Sequence, residues 1–117
     1  MDLRTQRRDD LHFRLLRLIE QHPEYSQRDH AAALGVSLSK INYVIKALID
    51  KGHIKVSAFQ HSGGKLDKIA YLLTPEGFQN RLALTRDYIE RKSREYDDLR
   101  DELAKLQEEL RTLPDQV

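Results

Sequence analysis

The sequence predicts a mainly α-helical fold with one small β-hairpin, followed by a long C-terminal helix. Two short apolar segments with capping residues, and then two strand-like segments, lie between Ser26 and Leu73. From Thr74 to Leu113 the only residues that disfavour a helix lie in the first turn. The chain has 117 residues, enough for one small domain with an appendage.

An apolar stripe at helical spacing predicts the first helix, from near Arg7 to His22, and Pro23 ends it. Ser26 and Asp29 then form a capping pattern that starts a second, shorter helix. Gly35 can end that helix in the left-handed conformation. The members of the first stripe are Leu11, Leu15, Leu16, Leu18 and Ile19.

The third helix is predicted from Leu38 to Lys51, with Ser37 as its N-cap and Gly52 after its end. One of its faces is apolar and is expected to pack on the core, and the opposite face is polar and cationic. The apolar face consists of Leu38, Ile41, Val44, Ile45, Leu48 and Ile49.

Two strands are predicted after the third helix. Residues 54–58 alternate between apolar and polar side chains, and residues 69–73 are more continuously apolar. The polar segment from Gln60 to Lys68 joins them, and Gly63 and Gly64 mark its tip. This segment is too long for a two-residue hairpin turn.

The last helix is expected to contain about 38 residues, or roughly 57 Å at 1.5 Å per residue. Its apolar residues repeat every seven positions in two series, as in the a and d positions of a coiled coil. In that register a parallel dimer places Glu95 opposite Arg100 of a second copy, whereas an antiparallel dimer tends to bring Glu against Glu. The sequence therefore predicts a homodimer, with a parallel coiled coil favoured. The dimerisation residues are Ile89, Tyr96, Leu99, Leu103, Leu106, Leu110 and Leu113.

Charge is distributed unevenly along the chain. Residues 1–75 contain twelve Lys and Arg against eight Asp and Glu, and residues 76–117 contain eight against eleven. A basic N-terminal part suggests contact with nucleic acid there. The beginning of the sequence does not resemble a signal peptide, and no apolar run approaches the length of a membrane span, so a cytoplasmic location is expected.

This order of elements is that of a winged helix-turn-helix, which usually places one helix in the DNA major groove. The sequence resembles winged-helix repressors of the MarR type, and most closely the small exopolysaccharide-associated MarR-family transcriptional regulators. The resemblance extends from about Leu11 to Leu110 and implies a double-stranded-DNA-binding regulator of exopolysaccharide genes. One departure is that the C-terminal heptads carry most of the dimerisation, whereas typical members use helices at both chain ends. The segments that carry the resemblance are Ser26-Gln27-Arg28-Asp29, Leu34-Gly35-Val36-Ser37, residues 41–52, Ile54-Lys55-Val56 and residues 71–77.

Candidate DNA contacts lie in the third helix and in the wing. Asn42 can pair bidentately with adenine, and neighbouring cations and hydroxyls can bind phosphate. The alternative is that this face is only solvated. The third-helix candidates are Ser37, Ser39, Lys40, Asn42, Tyr43 and Lys46, and the wing candidates are His61, Ser62, Gly63, Gly64, Lys65 and Lys68. Arg7 and Arg8 are further candidates for phosphate contact.

Enzymatic activity is not expected. The sequence has no nucleophile elbow, P-loop or dinucleotide fingerprint. It has no Cys, and its five His residues do not show metal-ligand spacing, so neither a metal nor a cofactor is predicted.

The sequence thus predicts a DNA-binding domain at residues 1–74 and a coiled-coil dimerisation helix at residues 75–117. The predicted function is that of a homodimeric, sequence-specific transcriptional regulator. The alternative is a winged-helix protein-interaction module that joins a larger assembly without binding DNA. The sequence does not indicate whether a small-molecule effector exists.

Overall fold

The structure, a computed structural model, describes residues 3–60 and 66–113, with the backbone alone at residues 58–60 and 66–68. The predicted fold class is confirmed: the described chain is mainly helical with one two-stranded antiparallel sheet. It forms two compact units, Met1–Thr85 and Arg86–Val117. The elements are α1 (Leu3–Gln21), α2 (Gln27–Leu34), α3 (Leu38–Asp50), β1 (Ile54–Gln60), β2 (Leu66–Leu73) and α4 (Pro75–Thr112).

Helix α1 begins at Leu3, four residues before the predicted start near Arg7. Residues 3–6 contain no Gly or Pro, and Leu, Arg and Gln are good helix formers, so the helix extends beyond the apolar stripe. It ends before Pro23, as predicted. Its buried residues are Phe13, Leu15, Leu16 and Ile19, of which Phe13 lies outside the predicted stripe.

Helix α2 has the predicted caps at both ends. The backbone N–H of Ser26 donates to Asp29 Oδ2 at 2.9 Å, and the Asp29 N–H donates to Ser26 Oγ at 3.4 Å, which completes a capping box. Gly35 follows the helix at a φ of 68°, a left-handed conformation that is costly for residues with a Cβ atom. These caps fix the short turn between α2 and α3.

Helix α3 buries one narrow stripe, formed by Ile41, Val44, Ile45 and Leu48. The prediction that Leu38 and Ile49 also face the core is wrong, since they are 42% and 37% exposed. At about 100° per residue, these two lie about 70–90° from the middle of the stripe, at its edge. The helix therefore exposes more of its circumference than the apolar pattern suggested.

The two strands pair in antiparallel register, with Ile54 opposite Leu73 and Val56 opposite Tyr71. Both strands are longer than predicted, because Phe59, Gln60 and residues 66–68 also belong to the sheet. Backbone hydrogen bonds extend a ladder independently of side-chain polarity, so a polar sequence does not mark its end. A bulge interrupts the register between Phe59 and Gln60.

Thr74 connects the end of the hairpin, by hydrogen bonds, to the segment between α3 and β1. Its N–H donates to the His53 carbonyl at 3.0 Å, and its Oγ1 donates to the Gly52 carbonyl at 2.5 Å and accepts from the Gly77 N–H at 3.0 Å. Gly77 is buried in the first turn of α4. A Cβ atom at Gly77 would lie 1.8 Å from the His53 carbonyl oxygen, so the sequence Thr-Pro-Glu-Gly permits a close approach of two backbones.

Within the described ranges no single helix is both long and apolar enough to cross a membrane. Helices α2 and α3 reach that length and composition only as a pair, joined by a bend of 114°.

Candidate nucleic-acid interface

The exposed face of α3 carries the polar and cationic side chains that the sequence singled out. At about 100° per residue they fall within an arc of about 160° opposite the buried stripe. All of them are exposed, and the Tyr43 side chain, although large and aromatic, is 74% exposed. Residues 30–49 contain no Asp or Glu, so the only carboxylate of α3 is Asp50, which lies in the same arc at the end of the helix, one turn beyond Lys46. Its members are Ser39, Lys40, Asn42, Tyr43 and Lys46, and we call this set the α3 polar face.

The side chain of Ser37 serves as the N-cap of α3. Its Oγ accepts a hydrogen bond from the backbone N–H of Lys40 at 3.1 Å, so the hydroxyl provides an acceptor for an N–H in the first turn of α3. The residue is exposed and remains a predicted DNA contact. Its cap also fixes where α3 begins, and with it the angular position of the α3 polar face.

Asn42 is held in place by two other elements. The Gln27 side-chain amide, at the first residue of α2, donates through Nε2 to Asn42 Oδ1 at 3.3 Å and to the Tyr71 hydroxyl at 3.1 Å. Tyr71 lies on β2 and is 5% exposed. The predicted base reader is thus hydrogen-bonded to α2, and through α2 to the wing.

A groove of about 660 Å³ lies beside the α3 polar face, between the first half of α1 and the start of α3. Lys40 and Tyr43 belong to it, and so do three arginines of α1, which extends the cationic surface away from α3. The sequence predicts phosphate contacts for Arg7 and Arg8 but not for Arg4, because the apolar stripe starts the helix near Arg7 and the structure starts it at Leu3. The lining residues are Leu3, Arg4, Arg7, Arg8, Leu11, His12, Val36, Lys40, Tyr43 and Val44.

His12 adds no charge to this groove at neutral pH. Burial lowers the pKa of its imidazole below the usual 6.5, and the positive charges of Lys51 and Arg8 lower the pKa further. The positive potential of the groove therefore comes from its Arg and Lys side chains.

The predicted wing contacts cannot be placed in the same way. His61, Ser62, Gly63, Gly64 and Lys65 lie outside the described residues, and only the backbone of Lys68 is described. These six residues remain predictions from the sequence.

The second unit presents an apolar stripe along α4. Its seven members are between 47% and 73% exposed. In the described part of this unit α4 is the only element of regular structure, so nothing else there covers the stripe. Exposed apolar surface of this extent is typical of an interaction site. The stripe consists of Ile89, Tyr96, Leu99, Leu103, Leu106, Leu110 and Leu113, the predicted dimerisation residues.

Charged side chains flank this stripe and pair within the helix. Lys92 contacts Glu95 at 3.1 Å, Arg100 contacts Asp97 at 3.7 Å, and Arg94 contacts Glu90. Such exposed pairs contribute only some tenths of a kcal/mol each.

Among the described residues no three His, Asp or Glu side chains are grouped so that they could hold a metal ion.

Comparison with known families identifies the helical module. Residues 8–55 match the family model described as winged helix-turn-helix DNA-binding. The chain has a winged helix-turn-helix fold. In this winged helix-turn-helix, α2 and α3 form the helix-turn-helix, and β1 and β2 form the wing. A comparison with curated protein sequences gives no match.

Solved structures of bacterial proteins share this winged helix-turn-helix fold. The smu.1704 protein of Streptococcus mutans UA159 is 19% identical, with a TM-score of 0.64 over 73% of this chain and 81% of its own. MepR of S. aureus, in complex with DNA, is 18% identical, with a TM-score of 0.60 over 85% and 76%. MarR of Staphylococcus aureus is 17% identical, with a TM-score of 0.56 over 86% and 69%. The resemblance to MarR-type regulators that the sequence suggested is thereby confirmed, and at these identities the similarity establishes the fold.

Proposed function

We propose that this winged helix-turn-helix protein is a sequence-specific, double-stranded-DNA-binding transcriptional regulator that acts as a homodimer. The α3 polar face is the observation that carries the proposal. A helix that buries one side and exposes on the other a polar arc with two lysines, and with a single carboxylate at its C-terminal end, has the surface that a major groove accepts. The match of residues 8–55 to a DNA-binding family and the DNA complex of MepR support the same conclusion.

In the proposed complex α3 enters the major groove. Lys40 and Lys46 bind phosphates, while Asn42 reaches a base edge and supplies sequence discrimination. Arg4, Arg7 and Arg8 extend the phosphate contacts along the groove beside α1. Phosphate contacts fix the register of the protein on DNA, and the base contact reads the sequence.

Dimerisation through the apolar stripe of α4 brings a second winged helix-turn-helix domain to the DNA. A parallel coiled coil uses the a and d positions of the stripe and places Glu95 opposite Arg100 of the second copy. Two α3 helices then read successive major grooves, about 34–36 Å apart, on a nearly palindromic site. Control of exopolysaccharide genes is a narrower proposal that rests on the sequence resemblance alone.

DNA binding is tested with the double variant Lys40→Ala, Lys46→Ala. Each phosphate contact contributes about 0.9 to the slope of log affinity against log salt, and the homodimer loses four such contacts, so the double variant should reduce the slope by roughly 3–4. It should also bind DNA more weakly at low salt. The control is Lys105→Ala, which removes an exposed cation from the second unit. Unchanged affinity and slope would refute the assignment of the α3 polar face.

Dimerisation is tested with Leu99→Lys, Leu106→Lys, which places two charges in the stripe. Sedimentation should show a monomer, and affinity for a two-half-site DNA should fall while folding of the first unit persists. The matched control is Ala104→Lys, Thr112→Lys, which adds the same charge at exposed positions outside the stripe. A Leu99→Lys, Leu106→Lys protein that sediments as a dimer would contradict the proposed interface.

A further inference from the structure

Gln27 occupies a position that the sequence did not mark as functional. It is the first residue of α2, it is half-buried, and its amide lies between the α3 polar face and the wing. Its Nε2 donates to Asn42 Oδ1 at 3.3 Å and to the Tyr71 hydroxyl at 3.1 Å. These two bonds use both N–H groups of the Gln27 amide.

The hydrogen bond from Gln27 fixes which end of the Asn42 amide faces inward and which faces solvent. Its Oδ1 is turned toward Gln27, so its Nδ2, with two N–H donors, is the group left to face outward. In the major groove guanine offers two adjacent acceptors, N7 and O6, whereas adenine offers the N7 acceptor beside the N6 donor. An Asn42 that presents donors therefore fits guanine better than the adenine expected from the residue type alone.

We propose that Gln27 is a specificity-determining positioning residue, which orients Asn42 so that it selects guanine at one base pair of the DNA site. The inference rests on the proposed DNA-binding function and adds to it the identity of one base. Tyr71 anchors Gln27 from β2 and so makes the selection depend on the position of the wing. A well-placed pair of hydrogen bonds to a base is worth about 1–3 kcal/mol, or roughly 5- to 150-fold in affinity.

The experiment uses the full chain and DNA selected by it from a random pool. Every position of the selected site is then varied in turn, and the position read by Asn42 is the one whose preference Asn42→Ala removes. Guanine should be preferred there by the wild-type protein, by roughly 5- to 150-fold over adenine.

Gln27→Glu is the decisive variant. A carboxylate only accepts hydrogen bonds, so Asn42 must turn its Nδ2 inward and expose Oδ1. The preference at that one position should then move from guanine to a base with an amino donor, adenine or cytosine, while the other positions keep their ranking. Tyr71→Phe removes the anchoring hydroxyl and should weaken the guanine preference in the same place.

The matched control is Gln21→Glu, which adds the same negative charge at an exposed glutamine of α1. It should lower overall affinity without changing any base preference. Thermal unfolding of Gln27→Glu should match that of the wild type, since an acid at the first position of a helix is favourable.

Three results would overturn the inference. One is a wild-type preference for adenine at the Asn42 position, and another is a guanine preference that survives both Gln27→Glu and Tyr71→Phe. The third is a selected site in which Asn42→Ala changes no position. In each of these the proposed DNA-binding function stands, whereas a failure of the wild-type protein to select any DNA would remove both proposals.

Discussion

Replacing Gly77 with Ala should destabilise the first unit, although Ala is the better helix former. Gly77 lies in the first turn of α4, where its backbone passes close to His53. An added Cβ atom would lie 1.8 Å from the His53 carbonyl oxygen and 2.7 Å from the carbonyl carbon. Both neighbours are backbone atoms, so the clash cannot be relieved by a side-chain rotation.

The expected loss of stability follows from how far the backbones at Gly77 and His53 must separate. Ordinary contact for a Cβ begins at 3.4 Å, so the backbones must separate by about 1.6 Å. A shift of that size breaks the hydrogen bonds from Thr74 to the His53 and Gly52 carbonyls, each worth about 0.5–1.5 kcal/mol. Strain from overpacking adds about 1–3 kcal/mol, and the helix propensity of Ala returns at most about 1 kcal/mol. The expected net loss is roughly 1–5 kcal/mol.

Thermal unfolding followed by far-ultraviolet circular dichroism, at one fixed protein concentration, measures this loss. A loss near 3 kcal/mol lowers Tm by more than about 10 °C in a domain of this size. Ala83→Gly, at an exposed position of the same helix, calibrates the propensity contribution and should cost about 1 kcal/mol. A Gly77→Ala protein that melts at or above the wild-type temperature would refute the close-approach explanation.

Three further predictions concern the core and caps of the first unit. Burial, opposed in part by Asp29, lowers the pKa of His30 to about 4, so the stability that neutral His30 contributes should be complete above pH 6.5 and fall by on the order of 3 kcal/mol toward pH 4. Urea unfolding across this pH range tests it, and a flat profile would contradict it. Ser26→Ala should cost about 0.5–2 kcal/mol in urea unfolding because the capping box is lost, whereas no loss would mean that the cap is dispensable. Leu48→Ala should cost about 2–5 kcal/mol in the same assay, since Leu48 is fully buried in the core, and a cost below about 1 kcal/mol would argue against that packing.

The helix caps and the α3 polar face could be predicted because they depend on residues close together in the sequence. The capping box at Ser26, the left-handed Gly35 and the N-cap at Ser37 depend on residues within a few positions of each other, so the sequence displays them directly. The α3 polar face was predictable for a related reason. A regular helix fixes which side chains oppose an apolar stripe, whatever the stripe packs against.

Edges and ends of elements were harder to predict. Leu38 and Ile49 are apolar, but whether a residue at the margin of a stripe is buried depends on the shape of the partner surface. The strands extended into the polar connecting segment, to Gln60 in β1 and from Leu66 in β2, because a backbone ladder does not require apolar side chains. Helix α1 likewise began before its stripe, at Leu3, and so brought Arg4 into the groove beside α3.

The sequence alone determined the order of the elements, their caps, the α3 polar face and the heptad stripe of α4, because all of these arise from spacings of a few residues. Only the tertiary structure decided which distant residues meet. Gln27 and Tyr71 are 44 positions apart, yet they share a hydrogen bond, and Gln27 also donates to Asn42. Gly77 is needed because His53, in the connection between α3 and β1, approaches its backbone. Periodicity records which side of an element faces inward, but contact between two elements depends on how they pack, and that packing is a property of the whole fold.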